Sequence, residues 1–219
     1  MASADSFDDV LKRLSNTTGA SMSSLARLYR QGAISRETLQ RLAESMLQVA
    51  SVQGAAYGQL AYAQYAEAIS GQLPQGVARP ELAALRYRQG RIAKSVSTVL
   101  EYDDDDIELR LAALGENFPV QVVQESYGYA LVEDDNANGW VRGLEPDGCQ
   151  LCQWWWRDGR VWPKDHTMPT HPGCRCQQLP TFSEYKPVET GYTRALNRRK
   201  EALERAKIAR QHTTKTRGN

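Results

Sequence analysis

The 219-residue sequence predicts a mainly α fold with a small β-hairpin module stapled by Cys and His side chains, hence α+β overall. Three observations carry this. Residues 1–133 hold long stretches in which apolar side chains recur at helical spacing. After Glu133 the chain changes to short runs bounded by turn residues and rich in Trp and β-branched side chains. All five Trp and all four Cys fall between Trp140 and Cys176. The expected organisation is a helical region (1–133), a Cys/His β-hairpin module (134–188) and a basic helical tail (189–219).

Within the helical region, Phe7, Val10, Leu11 and Leu14 predict a short amphipathic helix that Asn16-Thr17-Thr18-Gly19 ends. Met22, Leu25 and Leu28 predict a second, closed by Gly32. Ser35 reads as an N-cap with Glu37 in the first turn, opening a long helix to about Ile69. Its expected apolar face is Leu39, Leu42, Met46, Val49 and Ala50, continued by Tyr57, Leu60 and Ala61; Gly54 and Gly58 inside it suggest close helix packing or a bend. A further helix is expected over 81–100, with Gly90 weakening its middle. The run Asp103-Asp104-Asp105-Asp106 reads as a solvated loop or helix start, because consecutive carboxylates do not all point one way. Two helices, 107–114 and 120–131, should follow, divided by Gly115 and Pro119.

In the module, Trp140 to Leu144 reads as a strand. Asp158-Gly159 lies between Gln153-Trp154-Trp155-Trp156-Arg157 and Arg160-Val161-Trp162, a pattern that predicts a two-residue hairpin. Strand alternation would place Trp154 and Trp156 on one face and Trp155 on the other, one side packed on the module and the opposite side covered by the helical region or, as the alternative, by another protein. Residues 177–187 lead out as a loop or a last strand.

Cys149-x2-Cys152 and His171-x2-Cys174 share one spacing. Four such N/S donors suit a tetrahedral zinc ion, which would cross-link two distant turns. The expected ligands of a structural zinc are therefore Cys149, Cys152, His171 and Cys174. Cys176 is a rival, because it lies two residues from Cys174 and faces the same side of an extended chain. His166 reads as a solvent histidine. A disulfide pairing is the next alternative and needs an oxidising compartment. A forty-residue module buries too little surface to hold itself together, which gives the metal a structural purpose.

Net charge is +1, yet residues 191–219 carry nine Lys/Arg against two Glu, leaving −6 for the rest. Such asymmetry points to a tail with a partner; Arg198, Arg199, Lys200, Arg205, Lys207 and Arg210 are its candidate contacts with DNA or an acidic protein surface. The acidic N-terminus has no apolar signal region, and there is no run of about 18 apolar residues, so neither secretion nor a membrane span is expected. Neither Gly-x-Ser-x-Gly, a phosphate loop nor His-Glu-x2-His is present, and the three His (His166, His171, His212) suggest no triad, so no catalytic residues are expected.

Trp140-Val141-Arg142, Cys149-x2-Cys152 and the terminal His171-Pro172-Gly173-Cys174-Arg175-Cys176 together resemble the Mu F-like minor head proteins of tailed bacteriophages. The likeness covers 140–176 closely and the helical region only in style. It implies a minor capsid or head-morphogenesis protein, assembled in the host cytoplasm and carried inside the virion head near the portal. Its implied partners are the portal protein, with scaffold or major capsid protein and packaged DNA as further ones. Some family relatives are described as capsid maturation proteases; this remains an alternative, as does a zinc-stabilised nucleic-acid-binding protein.

Overall fold

The computed structural model describes residues 4–74, 90–102, 105–145 and 147–182, and in the tail 198–199, 202 and 205. The fold is α+β, as the sequence predicts: helices supply the body and one three-stranded antiparallel sheet lies within the Cys/His segment. Residues 1–185 form one compact unit, so the change of character after Glu133 falls inside it; residues 186–219 form a second.

Helix α1 (Ala4–Arg30) runs unbroken through Asn16-Thr17-Thr18-Gly19, which corrects the expectation of two helices. The polar side chains there bond back onto the helix: Thr18 Oγ1 donates to the Leu14 carbonyl at 2.8 Å and Ser21 Oγ to that of Thr17 at 2.9 Å. Helix α2 (Arg36–Ser70) starts and stops as expected. The Ser35 hydroxyl accepts from the Thr38 N–H, and Gly71 (φ 72°) forms the left-handed cap. Helix α3 (Arg91–Leu100) follows; the earlier part of the helix expected over 81–100 lies outside the described residues.

Helix α4 (Ile107–Glu133) is continuous through Gly115 and Pro119, a second correction. Pro119 leaves one helical acceptor without its N–H donor, a cost that the surrounding packing must offset. Phe118, Pro119, Val120, Val122 and Val123 are all buried, so this stretch lies at the centre of the body. Gly115 is a contact point rather than a break. A Cβ there would lie 2.8 Å from Met22 Cγ and 2.9 Å from the Thr18 carbonyl oxygen of α1.

The face of α2 that turns inward is not the one its bulky residues suggest. Leu39, Ala43, Leu47, Ala50, Gly54, Gly58, Tyr62 and Ala66 are buried, whereas Leu42, Val49 and Leu60 are exposed. The small residues win because they let α4 approach closely: a Cβ on Gly58 would lie 2.4 Å from the Val123 carbonyl oxygen. One apolar cluster joins α1, α2, α3 and α4 around Leu47, Val96 and Leu111. A second joins Phe7, Leu11, Tyr62 and Tyr127 to Trp140 and Met168 of the Cys/His segment.

Strand β1 (Gly139–Gly143) is central, flanked by β2 (Val161–Pro163) and β3 (Gln177–Thr181). Trp140 pairs with Trp162 on one side and Pro180 on the other. Between β1 and β2 lies helix α5 (Gln150–Trp156), so the expected hairpin is replaced by a helix–turn–strand. Asp158-Gly159 does turn the chain, through consecutive positive φ at Arg157 (52°), Asp158 (54°) and Gly159 (75°). Helical winding brings residues three apart onto one face, which a strand would put on opposite faces. Pairing Cys149 with Cys152 therefore favours the helix.

Candidate metal centre

Cys149 caps α5 and Cys152 lies in its first turn; Gln153 N–H donates to the Cys149 carbonyl at 3.0 Å. The second segment is anchored from the helical body. Gln124 Nε2 of α4 donates to the carbonyls of Cys174 (2.8 Å) and Cys176 (2.9 Å), and Asn117 Oδ1 accepts from the Gly173 N–H. A tight turn, with Cys174 N–H on the His171 carbonyl at 3.0 Å, folds His171 back over the thiols.

His171 Nε2 lies 3.2 Å from Cys149 Sγ and 3.1 Å from Cys152 Sγ. Its Nδ1 lies 2.8 Å from the Pro172 carbonyl oxygen, which can only accept, so Nδ1 carries the proton. That fixes the tautomer in which Nε2 offers a lone pair toward the sulfurs, the arrangement metal-binding histidines use. Cys152 and Cys174 Sγ are 3.7 Å apart, close to the ~3.8 Å edge of a tetrahedron built on Zn–S bonds of about 2.3 Å.

Two groups of side chains, each with ligand atoms within 4.8 Å of one another, could hold a metal ion: Cys149, Cys152 and His171, and Glu145, Cys152, Cys174 and Cys176. Cys152 belongs to both. The expected ligands are divided between the two groups: Cys149, Cys152 and His171 fall in one, and Cys174 falls in the other with the rival Cys176. Glu145 was missed, since nothing in its spacing marks it. Its carboxylate is engaged elsewhere: Arg175 reaches Oε1 through its backbone N–H (3.2 Å) and Oε2 through Nη2 (3.1 Å).

The thiols do not titrate alike. The Cys176 thiol donates toward Cys174 and holds it as a thiolate, down to about 4, with a further contribution from the Arg142 charge. Cys176 is pushed the other way by that same contact and by burial; for its single S–H, Glu145 Oε1 at 3.8 Å is the alternative acceptor. Burial pushes Cys152 up to about 12. Backbone N–H groups, first that of Cys152, hold exposed Cys149 below the ordinary thiol value. Burial lowers His171, but the Pro172 carbonyl and the charges of Cys174 and Cys149 outweigh it and raise its value. So many thiols cannot all ionise beside one another unaided; a divalent cation would remove that conflict.

Arg142 supplies part of the needed positive charge. It is buried, with Nη1 3.8 Å from Cys152 Sγ and 3.9 Å from Cys174 Sγ, and Nη2 donates to the Pro169 carbonyl. Its guanidinium lies 5.2 Å from the Trp155 ring, which in turn sits 6.1 Å from His171. The sequence placed Arg142 near the module but gave no sign of this role.

His166 is no free solvent histidine. It stacks on Trp162 at 4.5 Å, with Trp140 behind, and Trp140 Nε1 donates to its carbonyl at 3.0 Å. The Trp run is not covered as expected: Trp154 remains 61% exposed, Trp156 is exposed too, and only Trp155 is half-buried. In the tail, Arg198, Arg199 and Arg205 are helical and exposed, while Lys200, Lys207 and Arg210 lie outside the described residues. Among the described residues no helix is long and apolar enough to cross a membrane. Comparison with protein-family models, curated proteins and solved structures finds no match to the chain.

Proposed function

We propose that the cluster is a structural zinc centre bound by Cys149, Cys152, His171 and Cys174, and that the chain is a minor head protein of a tailed bacteriophage. The observation that carries the metal reading is His171: its proton is held on Nδ1 by Pro172, leaving Nε2 turned to two thiols. Four protein ligands close the coordination sphere, so the ion fastens two segments rather than activating water. Cys176 stays beside them as the rival ligand, its Sγ directed at Glu145.

The head-protein reading rests on the resemblance of residues 140–176. It is supported by the exposed apolar side chains of α5: Leu151 and Trp154, one turn apart, and Trp156. Exposed aromatic side chains of this kind suit docking on a large partner, here the portal. The basic tail would add contacts to packaged DNA or to acidic scaffold or major capsid surfaces. On this reading the protein has no catalytic step.

The test has two arms. Reduced, purified protein should carry one zinc per chain by elemental analysis, and Cys149→Ser with Cys152→Ser should lose it. Cobalt substituted at the site should give thiolate charge-transfer bands. Immobilised portal protein should capture the chain at high as well as low salt, and Trp154→Ala should weaken capture at least tenfold without altering metal content. Metal-free native protein sinks the first arm; capture abolished by salt alone would point to tail-mediated charge contacts and sink the second.

A further inference from the structure

Of the four thiols, Cys149 is exposed, while Cys152, Cys174 and Cys176 are buried. Cys149 and Cys152 lie against the same His171 nitrogen, within 4.8 Å of each other. Cys149 has extended backbone (φ −64°, ψ 164°) just ahead of the helix, so its side chain approaches Cys152 across the first turn. Any oxidant in solvent meets Cys149 first, and the sulfur poised to capture the product is Cys152.

We propose that Cys149 and Cys152 form an oxidation-sensitive latch on the metal centre, closed by a peroxide as a disulfide. In the first step the Cys149 thiolate attacks one peroxide oxygen. The O–O bond breaks, hydroxide leaves with the electron pair, and Cys149 becomes a sulfenic acid. In the second, Cys152 sulfur attacks Cys149 sulfur. The S–O bond breaks and a second hydroxide leaves with its electron pair. Two ligand thiolates have lost two electrons, and one peroxide has become two hydroxides, which take two protons from solvent to become water. Cys174 does not compete for the first step, because it is buried and held against Arg142.

The consequence for the metal rests on the zinc reading above. The disulfide withdraws two of four ligands together, leaving His171 and Cys174 too few to retain the ion. Reduction by a dithiol restores both. The latch therefore converts exposure to peroxide into release of the Cys/His segment from its staple.

The experiment uses the full chain, reduced and freed of reductant. Metal content is measured first; its absence there overturns the zinc reading alone. Hydrogen peroxide is then added, remaining thiols are alkylated, and peptides are mapped by mass. The expected product links Cys149 to Cys152 and leaves Cys174 and Cys176 alkylated. Zinc captured by a chromophoric chelator should appear at the rate of disulfide formation and be rebound after dithiothreitol. In Cys149→Ser, Cys152 should resist oxidation at least tenfold longer. A disulfide between any other pair, arrest of Cys149 as a sulfinic acid, or equally fast loss of the Cys152 thiol in Cys149→Ser would each overturn the latch. The native disulfide map decides it even if that variant folds poorly.

Discussion

At the scale of single residues, the side chains that matter most are those that hold the ligands. Arg142 is buried against two thiols, and a buried cation persists only with compensating charge. Arg142→Met keeps most of the volume and removes the charge, so zinc affinity should fall by about 10–100-fold, read by competition with a chromophoric chelator. Asp8 tests the other anchor. It accepts from Arg175 Nε at 2.7 Å and from Lys12 at 2.6 Å, tying α1 to the residue between two of the cysteines. Burial raises the Asp8 value, but those two bonds outweigh it and lower it overall. A depressed acid stabilises the fold above its unfolded value near ~3.9 and loses that contribution as pH falls through the folded value. Asp8→Asn should therefore cost about 1 kcal/mol at neutral pH in urea unfolding and converge on the native protein as pH falls through the folded value.

At the scale of elements, glycine is where sequence and structure part. Gly19 and Gly115 lie in segments that read as breaks between helices; in the fold both lie where α1 and α4 touch. A window of sequence contains no information about a helix passing outside it, so propensity points to a break while tertiary contact keeps the helix whole. The same blindness misplaced part of the α2 face: Leu39 and Ala50 are buried as expected, but Leu42, Val49 and Leu60 are exposed. What local chemistry controls was legible: Ser35 caps α2, Gly71 ends it, and the Cys/His spacing marks the centre. Trp154-Trp155-Trp156 was misassigned because three consecutive Trp fit either period, and the deciding constraint is the Cys pair. Gly54 and Gly58 were rightly suspected as points of close packing. Gly58→Ala would force α2 away from α4, since the new carbon meets the backbone at Val123 and Tyr127 rather than a movable side chain. It should cost about 2–3 kcal/mol in chemical denaturation. Gly19→Ala should cost less, because its nearest obstacle is a side-chain atom, Glu116 Cγ, and the nearest backbone atom, the Ala112 carbonyl oxygen, is 3.3 Å away.

At the scale of the whole molecule, the two apolar clusters divide the consequences of losing the proposed metal. The cluster around Leu47, Val96 and Leu111 draws on α1 to α4 and, among the described residues, contains none after Val122. The other is completed by Trp140 and Met168, whose positions depend on the segment the cysteines hold. Chelation under reducing conditions should therefore act unevenly. Near-ultraviolet circular dichroism from Trp140, Trp155 and Trp162 should collapse, because that signal needs fixed aromatic packing. Far-ultraviolet signal from helices α1 to α4 should remain largely intact at room temperature. On heating, the metal-free protein should unfold at lower temperature, because an ion bound only by the folded state stabilises it through linkage. Added zinc should restore both the aromatic signal and the midpoint in proportion to occupancy. If far-ultraviolet and near-ultraviolet signals instead disappear together on chelation, the helical body cannot stand without its staple, and the two clusters act as one cooperative core.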